Sequence, residues 1–190
     1  MDFQRPVKRD SGATRARILE AAKMAFAQTG YSHTGVREIA ALAGTSSTLV
    51  LRYYGSKIGL FEAALRDAMP TDGLAKMTPV EIAESLATTL ADRRNSARPM
   101  LMIAMASGEP EAARVAARVF TERSIEPIGA ALGGNDGRVR SLEISILTIG
   151  FAFFLRHLPL TVFSEAETGQ IQQWFARSVM DVVKAGPDAG

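Results

Sequence analysis

Apolar residues along this chain recur at intervals of three and four rather than two, a pattern that predicts helices throughout and an all-α fold. Ile18, Ala22, Ala25 and Phe26, with Leu19 beside them, form the inner face of a first helix over about residues 11 to 29, and Gly30 is a helix stop. Ile39, Ala40 and Ala43 close a short second helix whose start Thr34 can cap with its hydroxyl. Gly44 then stands where a helix end needs a left-handed residue, and Val50 resumes an apolar face seven residues after Ala43. That spacing predicts a sharp turn between two short helices. Ser56 caps a further helix from about Lys57 to Ala68, in which Gly59 is expected to cost about 1 kcal/mol relative to alanine. Pro70, Thr71, Asp72 and Gly73 break the pattern and set a boundary, leaving a polar arm at 1–10, a head at 11–69 and a body at 70–190.

The body reads as five more helical stretches. Thr78, Pro79 and Glu81 form a helix start, followed by Val80, Ile82, Ala83, Leu86 and Leu90 on one face. Pro99 begins a methionine-rich segment that ends near Gly108, and Pro110 opens a helix running to about Leu132 that Pro127 should kink or split. A glycine-rich loop at 133–137 leads to a helix over about 138 to 158, and a last one spans about Ser164 to Lys184. From Ile144 to Leu155 the first of these two is apolar nearly all round. Such a helix must be buried on nearly all sides, and its 12 residues fall well short of the roughly 20 that a membrane span requires. A second copy of the chain can supply the cover. Ile146, Gly150, Phe153 and Phe154 with Trp174 and Phe175 of the last helix are the candidate surface for a four-helix homodimer core. Gly150 either allows close helix approach there or is a tolerated core glycine.

Composition narrows the chemistry. The absence of cysteine removes disulfides, thiolate metal sites and cysteine nucleophiles, and agrees with a reducing cytoplasm. MDFQRPVKRD lacks the apolar core of a signal peptide. The net charge of +2 is unevenly divided: residues 1–66 carry 10 basic and 5 acidic side chains, residues 67–190 carry 12 and 15. The head is thus the part suited to phosphate. No catalytic arrangement emerges. Ser46 lacks the second glycine of a nucleophile elbow, the glycines at 129, 133, 134 and 137 lack the Gly-Lys-Ser/Thr ending of a phosphate loop, and His33 and His157 have no metal-ligand partner at zinc spacing. Neither an enzyme nor a cofactor is expected.

The helix after the sharp turn offers Thr45, Ser46, Ser47 and Thr48 near its start and Arg52 with Tyr53 one to two turns on, a surface suited to a DNA major groove. From Thr14 to Phe61 the chain resembles the DNA-binding head of the tetracycline-repressor (TetR) family of bacterial regulators. The matching marks are Arg17-Ile18-Leu19, Ala22, Phe26, Gly30-Tyr31, Thr34, Val36-Arg37-Glu38-Ile39-Ala40, Ala43-Gly44, Tyr53-Tyr54-Gly55-Ser56-Lys57 and Leu60-Phe61. Beyond this quarter of the chain the likeness is one of helical content and length. Leu51 stands where the family usually carries a phosphate-binding tyrosine, and Thr48 where it often has glycine.

The resemblance implies a cytoplasmic transcriptional regulator, read as a repressor, that binds a double-stranded, palindromic operator as a homodimer. Thr34, Tyr53 and Lys57 are then expected on phosphates, Arg52 on a guanine, and Arg37 either on DNA or in a surface ion pair. Arg5, Lys8 and Arg9 belong either to a solvated terminus or to an arm that reaches the minor groove. The resemblance also implies that the helix from Lys57 joins head to body, where the weakness at Gly59 would let it swing. In the body, Met100, Met102, Met105, Phe120 and Arg123 are candidate lining for a small apolar or aromatic effector, although methionines at helical spacing also serve as ordinary core. Two other readings remain: a DNA-binding regulator indifferent to small molecules, and a helical ligand-binding or interaction module that has lost operator recognition, which Leu51 alone supports.

Overall fold

The computed structural model describes residues 11–71, 73, 76–91, 98–156 and 164–185, and among these it contains helices and no strand. The arm at 1–10 with Arg5, Lys8 and Arg9, together with Asp72 and His157, lies outside the described residues. The helices are α1 Ser11–His33, α2 Val36–Leu42, α3 Ser47–Tyr54, α4 Lys57–Ala68, α5 Pro79–Ala91, α6 Arg98–Ala106, α7 Pro110–Phe120, α8 Glu126–Leu132, α9 Gly137–Arg156 and α10 Glu165–Lys184, with a π-helical turn at Thr121–Ile125 joining α7 to α8.

Local chemistry sets most of these ends. Gly30 breaks α1 with φ 78° and ψ 171°. Ser46 caps α3 by accepting from the Leu49 amide at 3.2 Å, and Ser56 caps α4 by accepting from the Gly59 amide at 3.1 Å. Thr78 with Glu81 and Ser164 with Glu167 each form a reciprocal capping box at the start of α5 and α10. These hydrogen bonds hold the Glu81 and Glu167 carboxyls below the usual glutamate range.

Pro127 interrupts its helix one residue beyond a slip in register. The Glu126 amide bonds back to the Thr121 carbonyl, five residues away, so the turn before the proline widens. Proline has no amide hydrogen with which to continue the regular ladder.

The head packs α1 against α2 and α4, and its aromatic centre sets Phe61 edge-on to Phe26 at 5.2 Å and to Tyr31 at 5.4 Å. Although α4 ends at Ala68, the apolar core runs on from head to body, because α6 docks on α1 and α4 docks on α7. Met105 lies against Gly30 in that first contact, where an added Cβ would come within 3.3 Å of the Met105 side chain and carbonyl.

In the body, α9 packs on α8, α6 and α10. Phe151 and Phe175 stack with centroids 4.3 Å apart, so Phe175, at 1% exposure, belongs to the core of its own chain rather than to the predicted dimer surface. Arg140 is buried beneath the glycine loop, donating to the Leu132 carbonyl at 3.0 Å, Gly133 at 2.8 Å and Val183 at 3.3 Å. It thereby satisfies helix-end carbonyls of both α8 and α10. The neighbouring glycines permit a close helix crossing, since a Cβ on Gly137 would lie 2.5 Å from the Gly129 carbonyl oxygen.

Candidate nucleic-acid interface and body cavity

The turn between α2 and α3 is closed by backbone hydrogen bonds. The Thr45 amide reaches the Ala40 carbonyl at 2.9 Å and the Gly44 amide reaches Ala41 at 3.1 Å, a Schellman closure that requires the left-handed φ of 63° at Gly44. Arg17 of α1 donates to the Ala43 carbonyl at 3.4 Å and so helps to hold this corner against the scaffold helix.

With α3 set at this angle, Val50 enters the core at 1% exposure. Residues two positions away on a helix project to the opposite side, so Thr48 and Arg52 face solvent together, with Leu51 beside them at 42% exposure. Ser46 is exposed but its oxygen is engaged as the cap, while Thr45 and Ser47 are half-buried at the edge of the same surface. Arg37 is exposed in the first turn of α2.

Tyr53 lies to one side of this face, half-buried, with the Arg15 guanidinium 4.8 Å from its ring centre. Arg15 is therefore a basic neighbour that sequence spacing, separated by almost forty residues, did not single out. Tyr54 bonds its hydroxyl to the Arg15 carbonyl at 3.3 Å. Lys57 reaches over Tyr31 at 4.4 Å from the ring centre and donates to the Ser32 carbonyl at 3.4 Å. Burial against these groups lowers its pKa, an effect that Glu109 partly opposes.

Thr34 departs from expectation. It is 1% exposed, and its hydroxyl lies 2.6 Å from the Gly30 carbonyl and 2.8 Å from the Thr29 hydroxyl. The residue at the N-cap of α2 is Gly35, whose amide donates to the Glu38 carboxylate at 3.4 Å. The Thr34 side chain thus closes the end of α1 instead of capping α2.

The body holds a cavity of about 310 Å³ between the end of α4, α5, the start of α6, the π turn and α9. Met100 and Arg123 line it, joined by Met69, Ile82, Leu86 and Ile128. Three other candidates do not. Met102 is fully buried core, Met105 serves the contact with Gly30, and Phe120 is buried outside the lining. The methionines at 100, 102 and 105 project in different directions from one short helix, so that the run is part pocket and part core.

On the far side of the body, Ile146, Gly150, Phe154 and Trp174 line an open apolar groove of about 450 Å³. Ile146 is 73% exposed and Trp174 51%, whereas Phe153 is half-buried. Gly150 is exposed with open space where a Cβ would stand, and so it is not a core glycine. No helix among the described residues is long and apolar enough to cross a membrane, and no cluster of potential metal ligands occurs among them.

Comparison with known proteins agrees with this architecture. Residues 18–64 match the family model of bacterial regulatory proteins of the tetR family, and residues 81–183 match that of the tetracyclin repressor-like C-terminal domain. A curated relative, the HTH-type transcriptional repressor SCO4008 of Streptomyces coelicolor, is 43% identical over 61 residues, a stretch covering 32% of each chain. Among solved structures, a Rhodococcus protein assigned to the TetR-family transcriptional regulators superposes with a TM-score of 0.70 at 21% identity, covering 91% of this chain and 100% of the other. NalD, the secondary repressor of the MexAB-OprM multidrug efflux pump in Pseudomonas aeruginosa, gives 0.64 at 20% identity, covering 89% and 96%. These likenesses extend the fold through the body.

Proposed function

Since the chain belongs to the tetR family of bacterial transcriptional regulators, a class of DNA-binding proteins, we propose that it is a cytoplasmic, ligand-responsive repressor that binds a palindromic operator as a homodimer. The observation that carries the DNA half of this reading is the placement of Thr48 and Arg52 directly opposite buried Val50 on a capped, rigidly turned α3. In a major groove Arg52 would read a guanine and Thr48 a neighbouring base edge, with Tyr53, Arg15 and Lys57 alongside for phosphates. Leu51 shares the reading face and suits a thymine methyl. In that role it is a change of specificity rather than a loss of recognition.

The exposed groove on α9 and α10 supports the dimer. Large apolar side chains such as Ile146 and Trp174 rarely stay in water when a second copy can cover them. Two α3 helices related by the dimer axis would sit about 34–36 Å apart or a near multiple, so the two half-sites should mirror one another. The division into arm, head and body follows the break near residue 70, with α4 as the connection.

Responsiveness to a ligand rests on what surrounds the cavity. Ala68, Met69 and Pro70 at the end of α4 form part of its wall, and so does Arg123 of the π turn. The adjacent Glu122 bonds Arg66 of α4 at 2.7 Å. A ligand that repacks this wall thus acts on the helix whose other end abuts α3. Coupling of about 1–3 kcal/mol is usual for such systems.

Selection of bound sequences from random duplex DNA at two salt concentrations tests the proposal. Enrichment of a palindrome with a steep salt dependence is expected. Sequence-indifferent binding, or none, would refute it.

A further inference from the structure

The cavity that the preceding reading assigns to an effector has a polarity that narrows its occupant, and we infer that the ligand is an organic acid, a compact apolar body whose carboxylate pairs with Arg123. The inference rests on that assignment and adds the chemical class. Most of the wall is hydrocarbon, with Leu86, Met100 and Ile128 among the residues that would hold the apolar body. Arg123 brings a permanent positive charge to this surface. Its only hydrogen bond among the described residues is to the neutral Thr71 hydroxyl at 3.3 Å, and no described carboxylate lies within ion-pair distance. The other acid–base pairs nearby are self-contained, because Arg66 and Arg118 share Glu62 and Arg66 also takes Glu122.

A guanidinium in such a wall leaves most of its planar fork available, and a carboxylate is the group that matches this fork with two parallel bonds. Ser124, next in the π turn, also lines the cavity and is 9% exposed, with no hydrogen bond from its hydroxyl to any described residue. It can add a third donor. Thr148 contributes less, since its hydroxyl is already given to the Ile144 carbonyl at 2.7 Å. Among the described residues the lining contains no aspartate or glutamate. A cationic ligand would therefore be buried without a counter-charge and beside a like one, which is costly. The volume is at the small end of ligand pockets, about 300–1,000 Å³, and suits a fused bicyclic or medium-chain acid better than a large multi-ring compound.

The register slip before Pro127 has a purpose in this picture. It turns Arg123 and Ser124 onto the cavity while Glu122, their neighbour, stays outside on Arg66.

The test is calorimetric titration of the full-length chain with two matched pairs, 2-naphthoate with 2-naphthamide and decanoate with decanamide, on the wild type, Arg123→Gln and Met100→Trp. At least one acid is expected to bind about 10- to 100-fold more tightly than its amide, the range of a charge-assisted hydrogen bond in a partly buried site. Arg123→Gln should abolish that preference by weakening the acids far more than the amides, and Met100→Trp should block both. Amides that bind as well as the acids, or an acid preference that survives Arg123→Gln, would overturn the inference and leave the cavity's assignment standing. Acid binding unaffected by Met100→Trp would place the ligand elsewhere and overturn both. No binding by any of the four probes would also count against both.

Discussion

Gly59 lies directly against the Tyr54 carbonyl: a Cβ at position 59 would stand 2.2 Å from that oxygen. The contact joins the end of α3 to the first turn of α4, around Gly55 with φ 75°. Glycine in a helix ordinarily costs about 1 kcal/mol against alanine, so Gly59→Ala would be expected to stabilise on propensity alone. Backbone crowding reverses the sign here. Gly59→Ala should lower the thermal midpoint by several degrees and weaken operator binding, because α3 must shift to relieve the clash. A raised midpoint with unchanged binding would show that the corner can relax.

Arg52 is exposed on the face opposite Val50, and the direct-readout role assigned to it makes a specific claim. Arg52→Ala should cost about 1–3 kcal/mol and relax preference at one position in each half-site. Operator variants assayed one base at a time would measure this. A uniform loss across all of them would mark Arg52 as a phosphate contact.

Glu62 of α4 holds Arg118 of α7 through two bonds, 3.0 and 2.9 Å, and Arg66 through a third at 3.0 Å. The Arg118 and Arg66 hydrogen bonds depress the Glu62 pKa below the ordinary 4.5. Its stabilising contribution is therefore complete above that ordinary value and is lost as pH falls through the lowered one. Denaturant titrations from pH 7 to pH 3 should show a decline in stability at the acidic end that Glu62→Gln reduces. Equal slopes in both proteins would mean that the cluster contributes nothing to folding.

Ile146 is 73% exposed in the single chain, so a charge there has little to disrupt within the monomer. Ile146→Glu should leave the helical signal intact, shift sedimentation from dimer to monomer and weaken operator binding by at least tenfold through lost bivalency. A dimer that persists would place the contact on another face.

Much of this architecture was legible in the residue order. Gly30, Gly44, Ser56, Thr78 and Ser164 mark helix ends, and each acts within one turn of its own position, where local backbone geometry is decided. The exposed group around Thr48 and Arg52 could be read for the same reason, since a helix of known start presents known faces. Thr34, Gly59 and the methionines resisted such reading. Thr34 can cap a helix in principle, but the end of α1 lies close enough to take its hydroxyl inward. Gly59 looks like a weak helix residue until Tyr54 is seen above it.

The helices, the sharp turn before α3, the basic balance of the head and the apolar excess of α9 follow from residue order, because periodicity, capping and charge are properties of neighbouring residues. Tertiary structure alone decided which apolar groups became core, cavity or open groove. Phe175 was drawn onto Phe151, Met105 onto Gly30, and Arg123 was turned toward hollow space by the π turn. Helical periodicity marks an inner face without naming what it meets. The partner is chosen by long-range packing, in which each side chain goes where volume, hydrogen bonds and charge are jointly satisfied.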